Sequence, residues 1–150
     1  NDPWLEGEKS ITLADGDTWT VQDADGGSHT GTGTVRLAGD AEITFNNGDY
    51  TATGLSAADD AEASLTVGNG DETKFTIDSL EADKATLSVA LNDKSTLSVK
   101  TLKIGTGANA PAAATIDIKD DGNGSSFSVD ADADADADAR HPLASATPAA

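Results

Sequence analysis

The chain has no cysteine and no methionine, and it is poor in aromatic and basic residues. The missing cysteines exclude a disulfide framework and a thiolate metal site. Methionine is absent even from position 1. That leads us to expect a processed chain, secreted or held at the cell surface after removal of a signal peptide. Aromatics are 4% and apolar residues 37% of the chain, too little to fill a thick globular core. A thin, elongated core with one or two apolar residues per strand needs less, and favours stacked repeats. No apolar run approaches the roughly 20 residues of a spanning helix, so membrane insertion is not expected.

The charge is one-sided: 9 Lys and Arg against 27 Asp and Glu, for a net −18. Phosphate neutralisation needs clustered Lys and Arg, so nucleic acid is not expected as a partner. Divalent cations, Ca²⁺ among them, and screened copies of the same chain suit this balance. A surface kept soluble by self-repulsion explains it equally well.

What is present is Thr, Ser, Ala, Asp and Gly, a vocabulary of strands and turns. Residues 1–9 hold Trp4 and Leu5, expected to form an N-terminal cap or docking segment. Residues 10–130 form a β-repeat domain, and 131–150 an acidic tail. Ile11-Thr12-Leu13, a turn, then Trp19-Thr20-Val21 recurs 24 positions on as Val35-Arg36-Leu37, a turn, then Ile43-Thr44-Phe45. Leu65-Thr66-Val67 is matched 22 positions later by Leu87-Ser88-Val89, Phe75 and Ile77 by Leu97 and Val99, and Leu80 by Leu102. Stepping back by the same 22 reaches Ile43 and Phe45. Ile116-Asp117-Ile118 and Phe127-Ser128-Val129 repeat the template beyond an Ala/Pro-rich insertion at Ala108–Ala114.

Units of this length with one apolar face cannot bury that face alone and must stack. The expected fold is an all-β parallel solenoid of about five rungs. An antiparallel, pilin-like β-sandwich is the alternative. Gly68-Asn69-Gly70-Asp71, Asn92-Asp93 and Asp121-Gly122-Asn123-Gly124 are expected corners. No helical periodicity extends over about 11 residues; Ala57–Ala63 is the best helix candidate, and it is short and weakly patterned. The run from Ala63 to Ala108, with its Leu-Thr-Val strands and its Leu102-Lys103-Ile104-Gly105 segment, resembles the passenger β-helices of bacterial autotransporters and haemagglutinin-like adhesins. That resemblance implies an exported, surface-exposed role. It implies no functional residue.

The run Asp130-Ala131-Asp132-Ala133-Asp134-Ala135-Asp136-Ala137-Asp138-Ala139 is the oddest feature. If extended, it places every carboxylate on one side, about 6.5–7 Å apart, and every methyl on the other. Asp130, Asp132, Asp134, Asp136 and Asp138 are therefore candidate ligands for a hard cation such as Ca²⁺. Ala131, Ala133, Ala135 and Ala137, with Trp4 and Leu5, are candidate assembly residues through strand addition. A solvated acidic linker is the plainer reading of the run. Asp121 and Asn123 fall where an EF-hand-like loop would place ligands, but Lys119 occupies its first position, so a corner is expected instead. Asp15-Gly16-Asp17 and the Asp23–Gly27 loop are likewise expected to be turns.

No nucleophile elbow, phosphate loop or dinucleotide fingerprint is present. The two histidines, His29 and His141, stand apart, one expected in a Gly/Ser/Thr loop and one in the tail. No catalytic function is expected. The functional expectation is a structural subunit of an extracellular or cell-surface assembly, a filament, matrix fibre or adhesin, joined by strand pairing at its ends and by divalent cations. A monomeric Ca²⁺-dependent adhesin or glycan-binding module is the alternative.

Overall fold

In the computed structural model the described residues are 10–23, 25–82, 84–104, 115–120 and 125–131. They form twelve strands and no helix. These are β1 (Ile11–Leu13), β2 (Thr18–Gln22), β3 (Ser28–Thr30), β4 (Thr34–Leu37), β5 (Glu42–Asn46) and β6 (Gly48–Ala57), then β7 (Glu62–Val67), β8 (Thr73–Ala82), β9 (Thr86–Leu91), β10 (Thr96–Ile104), β11 (Thr115–Asp120) and β12 (Ser126–Ala131). Every strand pairing is parallel. The fold is a β-solenoid, and the antiparallel sandwich is excluded. It makes about four turns. The five-stranded sheet β11-β9-β7-β5-β2 shows how this agrees with five rungs, since five layers are separated by four steps.

The cross-section has three sides. Side one is the sheet of β2, β5, β7, β9 and β11. The long strands β6, β8 and β10 each supply the other two. The ladder between β6 and β8 runs from Ala52↔Ile77 directly to Gly54↔Ser79, skipping Thr53 and Asp78. It skips Lys100 in the same way between β8 and β10. Thr53 is exposed while Gly54 and Leu55 are both buried, so period-2 alternation changes phase there and the strand turns a corner. β3 covers the part of β6 before the bend, and β4 the part after it. Side two is thus β3, the first halves of β6, β8 and β10, and β12. Side three is β1, β4 and the second halves of β6, β8 and β10.

The core is a set of columns. On side one Trp19, Ile43, Leu65, Val89 and Ile118 stack in register. On side two the column is His29, Tyr50, Phe75, Leu97 and Phe127. Phe45 of side one meets Phe75 ring to ring, with centroids 4.1 Å apart. The outward residues Thr12, Thr20, Thr44, Thr66, Thr76, Ser88 and Ser98 are exposed or half-buried, as alternation requires.

Most of the spacings read from the repeat are the true registers, with one exception. Leu65 lies opposite Val89, 24 positions on, and Leu87 lies opposite Ala63. The two-residue shift keeps every side chain on its face. The corner fixes it. The Asn92 N–H donates to the Val67 carbonyl at 3.0 Å, and the Gly68 N–H donates to the Phe45 carbonyl at 2.8 Å. Gly68, at φ +95°, lies so close to the Asn92 carbonyl and the Ser95 hydroxyl that a β-carbon there would collide with both. The helix candidate at Ala57–Ala63 is also corrected. Ala57 ends β6, Ala58 to Ala61 form a turn closed by the Ala61 N–H donating to the Ala58 carbonyl, and Glu62 opens β7. Its alanines serve as small corner residues; Ala41, Ala61 and Ala85 are buried at successive turns.

Candidate functional site

The expected turns carry the carboxylates that might have seemed ligands. At Asp15-Gly16-Asp17 the Asp17 N–H donates to the Ala14 carbonyl, and Asp17 Oδ2 accepts the Ala14 N–H at 2.9 Å. Asp23 Oδ1 accepts the Asp25 N–H, and its Oδ2 accepts the Gly27 N–H. At the Gly68–Asp71 corner, Asn46 Oδ1 accepts the N–H groups of Asn69 and Asp71, and its Nδ2 donates to Asp71 Oδ2. Buried Asn46 is thus a corner clamp that the repeat pattern did not reveal. Beside it runs a ladder of buried hydroxyls. Thr73 Oγ1 accepts the Asn47 N–H, Ser95 Oγ accepts the Thr73 N–H, and Ser125 Oγ accepts the Ser95 N–H. Each layer therefore satisfies a backbone donor of the layer before it.

His29 is not a loop residue. It lies on β3, half-buried, with its ring stacked on Tyr50 at a centroid distance of 5.4 Å. Its Nε2 is 2.7 Å from Asp23 Oδ2. The His29 hydrogen bond and the two turn N–H groups hold the Asp23 carboxyl below its ordinary value of 3.8. Burial, and secondarily the Asp23 charge, push the Tyr50 hydroxyl up to about 12. It stays protonated and lies 3.2 Å from the Asn46 carbonyl, to which it donates.

Acidic groups crowd a second place, the turn joining side three to side one. The Asp40 N–H donates to Asp15 Oδ1 at 2.9 Å. The facing Asp15 carboxylate, with Glu62 and Glu42 behind it, raises the Asp40 carboxyl above its ordinary value. Among the described residues no group of three or more His, Asp or Glu side chains is arranged to hold a metal ion.

Of the expected metal residues, Asp130 lies in β12, as does the assembly candidate Ala131, whose backbone sits opposite Thr101. Asp121, Asn123, Asp132, Asp134, Asp136 and Asp138 lie outside the described residues, as do Trp4, Leu5, Ala133, Ala135 and Ala137.

The two ends remain. Among the described residues, β1, β2 and β3 each have one strand neighbour, and so do β11, β12 and the Leu102–Ile104 part of β10. Ile11, Trp19 and Phe127 are the partly buried apolar side chains that pack against the core, and all three belong to these terminal layers. Sequence reasoning had no means to single them out. They match the template as well as any inner residue, and only their position in the stack sets them apart. Among the described residues no helix is long and apolar enough to cross a membrane. No protein-family model, curated protein or solved structure matches the chain.

Proposed function

We propose that this chain is a structural subunit of an extracellular or cell-surface assembly, joined to further copies through its ends. The observation that carries this reading is the pair of terminal layers. Among the described residues each consists of parallel strands with one strand neighbour, and its apolar side chains are half-buried, Trp19 and Ile11 at one end and Phe127 at the other. Open strand edges of this kind pair with another chain unless something blocks them. A head-to-tail contact between unlike ends propagates into a filament when it does not close.

Charge governs when this happens. Each copy carries −18, so stacking is opposed at low ionic strength and favoured when salt or divalent cations screen or bridge the carboxylates. The Asp/Ala run and the Trp4-Leu5 segment flank the two ends in sequence, and we assign them to the same joining role.

Light scattering and electron microscopy of the full chain test the reading. In about 1 M NaCl, or with millimolar Ca²⁺, elongated multimers are expected, with the Ca²⁺-dependent fraction dissolved by EDTA. A monomer under all these conditions overturns the reading. A monomer that binds glycans in Ca²⁺ favours the binding-module alternative.

A further inference from the structure

Among the described residues the coil begins on side three, with β1, and finishes on side two, with β12. It therefore completes whole passes around its three sides, and its two ends are ramps of the same pitch. At the C-terminal end β12 stands one layer above the Leu102–Ile104 part of β10, which among the described residues pairs with β8 alone. At the N-terminal end β1 stands one layer beyond β3: β1 stacks on β4, while β3 and β4 both stack on β6. The step at one end is the complement of the step at the other.

Building on the assembly reading above, we infer that the partner is a second copy of this chain in one fixed register, continuing the coil without a break. β1 of the following copy pairs with Leu102–Ile104 of β10, its β2 with β11, and its β3 with β12. The columns support this placement. Ile11 falls in register with Leu102, which extends the column Ile11, Val35, Leu55, Leu80 and Leu102. Trp19 falls opposite Ile118, and His29, already stacked on Tyr50, falls opposite Phe127. Outside, Ser28 and Thr30 fall opposite Ser126 and Ser128, which already pair hydroxyl to hydroxyl with Thr96 and Ser98. One position breaks the match. Val21 falls opposite Asp120, which occupies the register of Leu91, Val67 and Phe45. A charge in an apolar register position on an edge strand restrains end-to-end pairing. It adds to the net charge in making assembly conditional.

Because the chain has no cysteine, disulfide trapping tests the register directly. Thr20 and Lys119 are exposed and share one column, but within a copy they lie four layers apart. That is about 19 Å, well beyond the roughly 7 Å a disulfide can span. The full chain carrying Thr20→Cys and Lys119→Cys, oxidised in about 1 M NaCl, is expected to give a ladder of covalent dimers, trimers and longer species. Thr18→Cys with Lys119→Cys, displaced by two residues, is expected to give less than a tenth of that yield. A Ser28→Cys/Ser126→Cys pair, on side two, repeats the test should the first variant lose its β-sheet circular dichroism. Multimers by light scattering with equal ladders from matched and displaced pairs would overturn this register while leaving end-joining intact. Monomers by scattering and no ladder from any pair would overturn both.

Discussion

Replacing Phe75 by alanine probes the stacked core at its centre. Phe75 is fully buried in β8, with Tyr50 below it and Leu97 above it in the same column, and the Phe45 ring packs against it from side one. Removing a ring enclosed on all these sides leaves a cavity that the backbone ladders above and below prevent from collapsing. Phe→Ala substitutions in such places cost about 3–5 kcal/mol, and the lost ring pairing with Phe45 places this one toward the upper end. At a urea dependence of about 2 kcal/mol per molar, that is a midpoint lowered by roughly 2 M. Phe127 occupies the same column in the terminal layer, half-buried and with a layer on one side only among the described residues. Phe127→Ala leaves a dent open to water, not a cavity, and should cost about 1–2 kcal/mol, near the transfer term for half a side chain. Phe75→Leu should cost less than about 1.5 kcal/mol, since Leu97 shows that leucine fits the column one layer on. The assay is urea unfolding of the three variants and the parent, followed by circular dichroism, with slopes compared to confirm that one transition is being measured. Equal losses at Phe75 and Phe127, or a loss at Phe75 below about 1 kcal/mol, would refute the column as the source of stability.

Other expectations follow from the corners. Ser95→Ala removes the acceptor of the buried Thr73 N–H and should lower stability by about 1–3 kcal/mol in the same urea assay. Lys94 is exposed and sits at φ +64° in the turn after β9, so Lys94→Gly should raise stability by about 1 kcal/mol, read as a higher melting temperature. Asp40 ionises more reluctantly in the folded chain than in the unfolded one because Asp15 faces it, so its ionisation subtracts stability above pH 3.8. Asp40→Asn should therefore melt higher than the parent at pH 7 and equal to it near pH 3. Asp23 has the opposite sign: its stabilising contribution is present above pH 3.8 and lost below it as the carboxyl protonates. Asp23→Asn should narrow the difference in melting temperature between pH 5 and pH 2.

The solenoid was legible because its core obeys two simple rules at once: aliphatics alternate within a strand and return after a turn of the coil. Ile43 over Leu65 and Phe75 over Leu97 could be read from spacing alone. Leu65 over Val89 could not. Leu65 and Leu87 look alike in sequence, and only the corners decide the register: the link 68–73 after Val67 is two residues longer than the link 92–95 after its partner Leu91. The bend at Thr53, Asp78 and Lys100 was hidden for a related reason, since it breaks alternation within a single strand and carries only a lone Gly54 or Asp78, not the Gly/Asn/Asp cluster of a corner. Polar fasteners such as Asn46 and Ser95 were hidden too, because a side chain that serves a neighbouring layer's backbone leaves no periodic trace. His29 looked solitary because its partners Asp23 and Tyr50 come together only when β3 stacks on β6. Joining at the ends was expected, but Ile11, Trp19 and Phe127 could not be singled out for it, because a terminal layer has the same residues as an inner one and differs in its place in the stack.

The sharpest test of parallel stacking is a pair of intramolecular disulfides that distinguishes the two candidate registers of β7 and β9. Thr66 and Ala90 are directly opposite on the outer face of side one. Thr66→Cys with Ala90→Cys should oxidise within single chains, in dilute solution, nearly to completion. Thr66→Cys with Ser88→Cys, the pair that a 22-residue repeat would align, should remain largely reduced. The reverse preference, or no intrachain bond from either pair in chains that keep their β-sheet spectrum, would contradict the stacked coil described above.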